Sequence, residues 1–236
     1  MISPATSGIR KRLEGAVRAL CPIIERRLRA NTGPPWDEYY LRRELVGCIL
    51  GSQVRHEMAA AALERIEQVG LLDDNWWHDT KGTFESQLFH VLSGRLSDNN
   101  GNWHYRFPKT RSHQLAKARD AVAERSLSKR LSDIFDPKQM RRQIVKEIPG
   151  LGPKQASMFL RNVGKTYDLA ILDTHVLRFM LMQNLLCLRH MNIGTISAYE
   201  RTERVVMDYA VGFGYPPGYL DWAIWATMRA AKELGL

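Results

Sequence analysis

The segment whose residue types and spacing best suit chemistry is a glycine-rich turn between two predicted helices. Residues 148–156 are Ile-Pro-Gly-Leu-Gly-Pro-Lys-Gln-Ala. Gly150 and Gly152 tolerate positive φ, and Pro153 suits the first turn of the helix that follows. Such a turn directs unpaired N–H groups outward at a helix N-terminus, where they can bind a phosphate. The spacing predicts a helix-hairpin-helix element over about 137–164, with an ordinary glycine-ended helix corner as the alternative.

Asp173 is the second residue that could take part in chemistry. It precedes the apolar residues Val176, Leu177 and Met180, so it is predicted to be the N-cap of a helix. Capping alone would explain it. A carboxylate at that position is also kept ionised by the N–H groups and the helix dipole. Held near a cleft, it could stabilise positive charge that develops on a sugar.

Helices must position these residues. Apolar residues at helical spacing predict helices over residues 9–29, 41–50, 57–69, 112–125 and 137–148, with a breaker cluster at residues 31–35. In the last of these helices Met140, Ile144 and Ile148 fall four residues apart, which predicts one buried face. Residues 97–102 are rich in Gly, Asn and Asp and predict a loop. No long alternating pattern is found, so the predicted fold class is all-α.

The net charge of +9 is unevenly distributed. Residues 1–30 carry seven basic and two acidic groups, residues 51–100 carry four and eight, and residues 101–150 carry twelve and five. A surface polarised in this way suits a polyanion, most simply nucleic acid, although a solvated basic face is the alternative. If DNA is the partner, neutralising Arg141 and Arg142 should weaken binding to all duplex sequences alike.

Several classes of protein are excluded by composition. No apolar run approaches the roughly 18 residues of a membrane span, and no apolar signal segment is found at the N-terminus, so an intracellular protein is expected. The cysteines Cys21, Cys48 and Cys187 are scattered singly and predict buried free thiols rather than a disulfide framework. No His, Asp and Glu cluster with metal-ligand spacing is found, so no metal centre is expected.

The sequence resembles a known family. Residues 149–154 (Pro-Gly-Leu-Gly-Pro-Lys), followed by Asp173, resemble the lysine-bearing, bifunctional helix-hairpin-helix DNA glycosylases. Other segments are similar to the compact archaeal-type 8-oxoguanine DNA glycosylase/lyases. These segments are residues 105–111 (Tyr-Arg-Phe-Pro-Lys-Thr-Arg), 156–164 and 169–179. The resemblance is clearest over residues 105–180 and extends more weakly from about 40 to 236.

The resemblance implies a mechanism. Lys154 would attack the sugar C1′, expel an oxidised guanine of the 8-oxoguanine type and form a Schiff base, which permits β-elimination at the abasic site. Ordinary lysine is protonated at neutral pH, so partial desolvation would have to favour the free amine. Asp173 would support deprotonation of that amine and stabilise the oxocarbenium-like transition state. Two alternatives stay open: a monofunctional glycosylase for another modified base, and a non-catalytic helix-hairpin-helix DNA-binding protein.

The resemblance also implies residues that hold and open the DNA. Flipping a nucleotide leaves a gap in the stack, and Gln53 resembles the amide that fills it, with helix capping by Ser52 as the rival interpretation. The base pocket would include Asp221, Trp222 and Trp225, although tryptophans at helical spacing also suit a core. The residues implied in DNA-backbone binding are Gly150, Gly152, Lys109, Arg111 and His175. For His175 a purely structural role is the alternative.

The implied partner is double-stranded DNA that contains a damaged base. The protein is expected to act as a monomer and not to bind a membrane. No cofactor is expected apart from a monovalent cation that the hairpin could hold. The fold implied is two helical lobes around a DNA-binding cleft. A middle lobe is expected over residues 52–165, and both termini, residues 1–51 and 166–236, would form the other. Lys154 and Asp173 would face each other across their junction.

The chain departs from the compact subfamily in two places. Its members tend to end in a basic tail that helps to read the oxidised guanine, whereas residues 232–236 are Lys-Glu-Leu-Gly-Leu. Residues 76–102 have no counterpart in the resemblance. Another modified purine or a modified pyrimidine therefore stays open as the substrate. The four-cysteine iron–sulfur loop of some relatives is also absent from the sequence.

Overall fold

A computed structural model describes residues 4–30, 37–77, 83–98 and 101–233. The helices are α1 (Pro4–Ala30), α2 (Glu38–Leu50), α3 (His56–Gln68), α4 (Asp74–Trp77), α5 (Phe84–Ser93), α6 (Pro108–Glu124), α7 (Leu127–Asp133), α8 (Pro137–Glu147), α9 (Pro153–Asn162), α10 (Thr174–Met182), α11 (Ile196–Val211) and α12 (Pro217–Glu233), with a 3-10 helix at Leu188–Met191. The predicted all-α class is confirmed. Within the described ranges no helix has the length and apolar character that crossing a bilayer requires.

The chain forms two compact units. The middle unit consists of residues 34–163, and the terminal unit consists of residues 1–33 and 164–236. The sequence prediction assigned residues 34–51 to the terminal lobe, and this is wrong. Helix α2 packs against α3, α6, α7 and α9, which all belong to the middle unit. The contacts of α2 join residues that are distant in the sequence, so the sequence alone did not show to which unit this helix belongs.

Helix α2 lies at the centre of the middle unit. Leu41, Leu45 and Ile49 on this helix are fully buried. The carboxylate of Glu38, in its first turn, accepts the N–H of Ser128 at 2.9 Å, at the start of α7. One helix therefore both fills the core with its apolar face and satisfies the open N-terminus of a neighbour.

A short β-hairpin interrupts the helices of the middle unit. Strand β1 (Arg95–Asp98) pairs antiparallel with β2 (Gly101–His104), and Leu96 lies opposite Trp103. The prediction of a loop over 97–102 is therefore wrong at both ends, while residues 99–100 lie outside the described residues. Each strand contains a single apolar residue, Leu96 or Trp103, so neither gives an alternating pattern.

Helix α12 is the central helix of the terminal unit and packs against α1, α10 and α11. Leu220 and Ile224 on α12 are fully buried. They share one apolar core with Val17 of α1, Phe179 of α10 and Val206 of α11. The first helix and the last therefore belong to the same folded unit, as the sequence predicted for the two termini.

Candidate active site

Helices α8 and α9 form the predicted hairpin in the middle unit. The N–H of Ile148 closes the last turn of α8 on the carbonyl of Ile144 at 2.9 Å. Gly150 has φ +91°, whereas Gly152, the N-cap of α9, has φ −82° and ψ 178°. Of the two glycines at which the turn was predicted to tolerate positive φ, only Gly150 adopts it, and Gly152 lies in extended backbone. Because its N-cap residue has no side chain, no N-cap oxygen occupies the first-turn N–H groups of α9, which suits the binding of a phosphate.

The apolar faces of both hairpin helices are buried, as the spacing predicted. The buried residues are Met140, Ile144, Ile148, Leu151, Ala156, Phe159, Leu160 and Val163. These contacts fix the two helices against the core of the middle unit. The turn between them is consequently held in place from both sides.

Gly150 is the position in this turn at which glycine is required. A Cβ there would lie 3.1 Å from Cβ of Gln114 and 3.2 Å from Cγ2 of Ile49, at a φ that L residues rarely adopt. We expect Gly150→Ala to lower the free energy of unfolding by about 1–3 kcal/mol. Gly164→Ala is the control, because Gly164 has φ +69° but no neighbour within 4 Å of the added carbon. Thermal unfolding should show the larger loss at Gly150, and equal losses would contradict the role of crowding.

Lys154 is the second residue of α9 and is partly exposed. Its charge reaches Cys48 of α2, whose thiol is completely buried. Burial raises the pKa of the Cys48 thiol well above its ordinary value; Glu44 adds to this, while Arg161 and Lys154 oppose it. Cys48 therefore stays protonated at neutral pH and is not a reactive thiolate.

The two arginines predicted to hold DNA on α8 have different environments. Arg142 is exposed, in agreement with that prediction. Arg141 is fully buried, and its Nη1 donates to Oγ of Ser157 at 3.1 Å. The prediction is therefore wrong for Arg141, which links the two helices of the hairpin from inside.

Gln53 lies in the turn between α2 and α3 and is exposed. Its φ is +62°, a left-handed conformation that is uncommon outside glycine. Helix α3 begins at His56 with Arg55 as its N-cap, so Ser52 does not cap it and the rival interpretation is wrong. The turn presents the Gln53 amide to solvent in a backbone conformation that its surroundings must impose.

Two buried side chains of the middle unit hold this turn. Arg111 is 6% exposed, and its Nη2 donates to the carbonyl of Ser52 at 2.8 Å. The hydroxyl of Tyr105 donates to the carbonyl of Leu50 at 2.6 Å. The prediction that Arg111 contacts the DNA backbone is therefore corrected: it supports the Gln53 turn. Lys109, on the first turn of α6, is exposed as a backbone contact requires.

Asp173 is the N-cap of α10 in the terminal unit, as predicted. It has φ −91° and ψ 179°, and its Oδ1 accepts the N–H of Val176 at 2.8 Å. The carboxylate is partly exposed. One oxygen thus caps the helix, and no contact in the described part of the terminal unit engages Oδ2. His175 is the second residue of α10 and is partly exposed.

Asp221 does not have the place that the sequence predicted. It is 2% exposed, and its Oδ2 accepts the N–H of Ile171 at 2.6 Å. Asp221 is therefore buried against the main chain of Ile171, two residues before Asp173, and is not exposed for direct contact with a base. Trp222 and Trp225, which follow it on α12, are both partly exposed. Arg27 lies 5.9 Å from the ring centre of Trp222, and Arg229 lies 5.3 Å from that of Trp225.

Two further predictions concern sulfur and metals. Cys21 and Cys48 are buried as predicted, whereas Cys187 is exposed, so the prediction is wrong for that thiol. Across the described residues no group of three or more His, Cys, Asp and Glu could hold a metal ion. The monovalent cation at the hairpin stays a prediction.

The all-helical frame and the glycine-turn hairpin place the chain in the class of helix-hairpin-helix proteins. A family model described as Ogg-HhH, 8-oxoguanine DNA glycosylase, matches residues 33–215. An 8-oxoguanine DNA glycosylase/AP lyase of Metallosphaera sedula is 31% identical over 222 residues, covering 89% of this chain and 98% of that protein. One from Picrophilus torridus is 28% identical over 189 residues, covering 80% and 79%.

Solved structures are similar over nearly the whole chain. The 8-oxoguanine DNA glycosylase of Thermotoga maritima has a TM-score of 0.69 at 27% identity, covering 93% of this chain and 95% of that one. The Methanocaldococcus jannaschii 8-oxoguanine glycosylase/lyase, in complex with a 15-mer DNA containing 8-oxoguanine, shares the fold with a TM-score of 0.62 at 23% identity, covering 86% and 88%. This chain belongs to the Ogg-HhH family of 8-oxoguanine DNA glycosylases, which confirms the resemblance found in the sequence.

Proposed function

We propose that this protein excises 8-oxoguanine from duplex DNA and then cleaves the strand at the abasic site. The observation that carries the proposal is the position of Lys154, which lies in the first turn of α9 directly after the open Gly150–Gly152 turn. A phosphate bound by that turn would bring a nucleotide next to the lysine amine. The family and its 8-oxoguanine DNA glycosylase/AP lyase members support the same reaction.

The reaction begins with the free amine of Lys154 attacking C1′ of the damaged nucleotide. The C–N bond to the base breaks, and the base leaves with the electron pair and takes up a proton. The carboxylate of Asp173 stabilises the positive charge on the sugar in the transition state and accepts the proton that the attacking amine loses. Opening of the sugar ring then gives a protonated Schiff base between Lys154 and C1′.

Strand cleavage follows from the Schiff base. Its positive charge acidifies C2′, which loses a proton, and the C3′–O bond breaks with departure of the phosphate. Water hydrolyses the remaining imine and regenerates the lysine. Every step uses protein groups and water, so the balance of atoms and electrons requires no oxidant or reductant.

The grip on the duplex is electrostatic. Arg142 and Lys109 are exposed cations of the middle unit and are proposed to contact phosphates of the DNA backbone. Gln53 is proposed to fill the gap that the flipped nucleotide leaves, because its exposed amide stands on a backbone turn held by Arg111. The protein is proposed to act as a monomer.

Substitution of Arg142 tests this grip. We expect Arg142→Gln to weaken binding to damaged and undamaged duplexes alike and to reduce the slope of log Kobs against log salt by up to about 0.9. The melting temperature should stay unchanged, since the side chain is exposed. Arg141→Gln is the matched control: it should lower the melting temperature, because Arg141 is buried. An unchanged salt slope for Arg142→Gln would show that its charge does not contact a phosphate. Fluorescence anisotropy at several salt concentrations gives the slopes for the unsubstituted protein and for Arg142→Gln.

The proposed function is tested with the full chain and duplexes that differ in a single base. Base release should be at least about a hundredfold faster from 8-oxoguanine than from guanine at the same position, with alkylated and deaminated bases as further arms. Borohydride should trap a covalent protein–DNA adduct. Release without trapping would identify a monofunctional glycosylase, release of another base would correct the substrate, and binding without release would leave a DNA-binding protein only.

A further inference from the structure

The residues before Asp173 are buried, yet they belong to no helix or sheet among the described residues. Ala170, Ile171 and Leu172 are each at most 6% exposed. Their N–H groups cannot reach water, and buried main-chain groups are costly unless they are paired. Helices α11 and α12 therefore have to supply side-chain acceptors for this segment.

Three side chains pair with three consecutive N–H groups. Oε1 of Glu203 accepts from Ala170 at 3.1 Å, and the Asp221 carboxylate accepts from Ile171. The hydroxyl of Tyr199 accepts from Leu172 at 3.0 Å and donates to the carbonyl of Ala170 at 2.8 Å. The Tyr199 hydroxyl thus spans the segment and uses both its donor and its acceptor capacity.

We infer that Tyr199, together with Glu203 and Asp221, positions the carboxylate of Asp173 for catalysis. The segment leads directly into Asp173, whose own N–H bonds the carbonyl of Ile171 at 2.9 Å. On the other side, the carbonyl of Asp173 accepts the N–H of Leu177 at 3.0 Å and its carboxylate makes one cap contact, to Val176. The direction of Asp173 is consequently set by the buried segment before it and by the first turn of α10 after it. The inference rests on the proposed catalytic role of Asp173, and Tyr199 acts only through that residue.

The test is Tyr199→Phe, which removes one oxygen and keeps the ring. A misplaced catalytic group costs up to about a hundredfold, so we expect the single-turnover rate of 8-oxoguanine release to fall about 10- to 100-fold. Affinity for the same duplex, measured by anisotropy in a Lys154→Gln background, should change less than about twofold. Tyr209→Phe is the matched control on the same helix, because the Tyr209 hydroxyl is buried without a hydrogen-bond partner among the described residues. It should leave the rate unchanged.

A double-mutant cycle separates positioning from general loosening. In an Asp173→Asn background, Tyr199→Phe should have almost no further effect, since the group that it positions has lost its function. Asp221→Ala, which removes the acceptor for Ile171, should behave in the same way and serves if Tyr199→Phe does not fold. The inference would be overturned if the rate losses of Tyr199→Phe and Asp173→Asn multiplied in the double variant, or if Tyr199→Phe released the base as fast as Tyr209→Phe. Either result would leave the catalytic role of Asp173 standing. A full rate for Asp173→Asn would overturn the catalytic role of Asp173 and the inference with it.

Discussion

Replacing Lys154 by glutamine is expected to abolish the borohydride-trapped adduct and to slow release of 8-oxoguanine by about a thousandfold or more. Glutamine is polar and only one atom shorter than lysine but has no nucleophilic amine, so neither the bond to C1′ nor the Schiff base can form. Duplex binding should persist, because the Gly150–Gly152 turn and the exposed cations are unchanged. Single-turnover base release and denaturing gels after borohydride reduction measure the two activities.

Lys129→Gln is the matched control for that substitution. Lys129 is an exposed lysine in the first turn of α7, in the same unit as Lys154. It should retain trapping and rate, since its amine has no part in the proposed chemistry. If Lys154→Gln still formed the adduct, another amine would be the nucleophile. If it released the base at the normal rate without an adduct, water activated by Asp173 would be the attacking group.

Local features of the site were predictable from the sequence. The glycine turn, Pro153 and the apolar stripes of α8 and α9 are properties of neighbouring residues, and the structure confirms them. The same is true of the cap at Asp173, which depends on residues only three positions away. Signals of this kind need no knowledge of the tertiary fold. They identified the turn and the capping carboxylate, whereas the role of Lys154 as nucleophile came from the resemblance to a known family.

Contacts between distant residues were not predictable in this way. Arg111 bonds a carbonyl 59 residues away, and Asp221 bonds an N–H 50 residues away. The resemblance therefore implied a DNA contact for Arg111 and a base-pocket role for Asp221, and it could not show that both side chains are buried against main-chain groups. The assignment of α2 to the terminal lobe was wrong for the same reason, because α6, α7 and α9, which pack against it, lie far from it in the sequence.

One missed group left a signal in the sequence. Tyr199, Glu203, Val206 and Ala210 fall on one face of α11 at spacings of four, three and four residues, and all are buried. A glutamate inside an otherwise apolar stripe indicates a buried carboxylate with a specific partner, since charged groups are seldom buried without one. That pattern identifies Glu203, although the N–H of Ala170 that it accepts from is visible only in the structure.

Replacing Asp173 by asparagine is expected to slow base release by about 100- to 1,000-fold with little change in duplex affinity. The amide oxygen can still accept the Val176 N–H, so the cap and the start of α10 are retained. What is lost is the negative charge that stabilises the sugar in the transition state and accepts the proton from the amine. The loss should therefore fall on the rate at saturating enzyme and leave the melting temperature nearly unchanged.

Asp37→Asn shows whether a change of cap alone could produce such a loss. Asp37 is the N-cap of α2 and accepts the N–H of Tyr40 at 2.7 Å, the same contact that Asp173 makes on α10. Both substitutions remove one charge at a helix N-terminus, where a carboxylate is worth about 0.3–1 kcal/mol. Their effects on thermal unfolding should consequently be similar and small. Only Asp173→Asn should lose excision. If both variants lost excision to a similar extent, the changed cap would be the cause, because Asp37 has no proposed role beside the sugar.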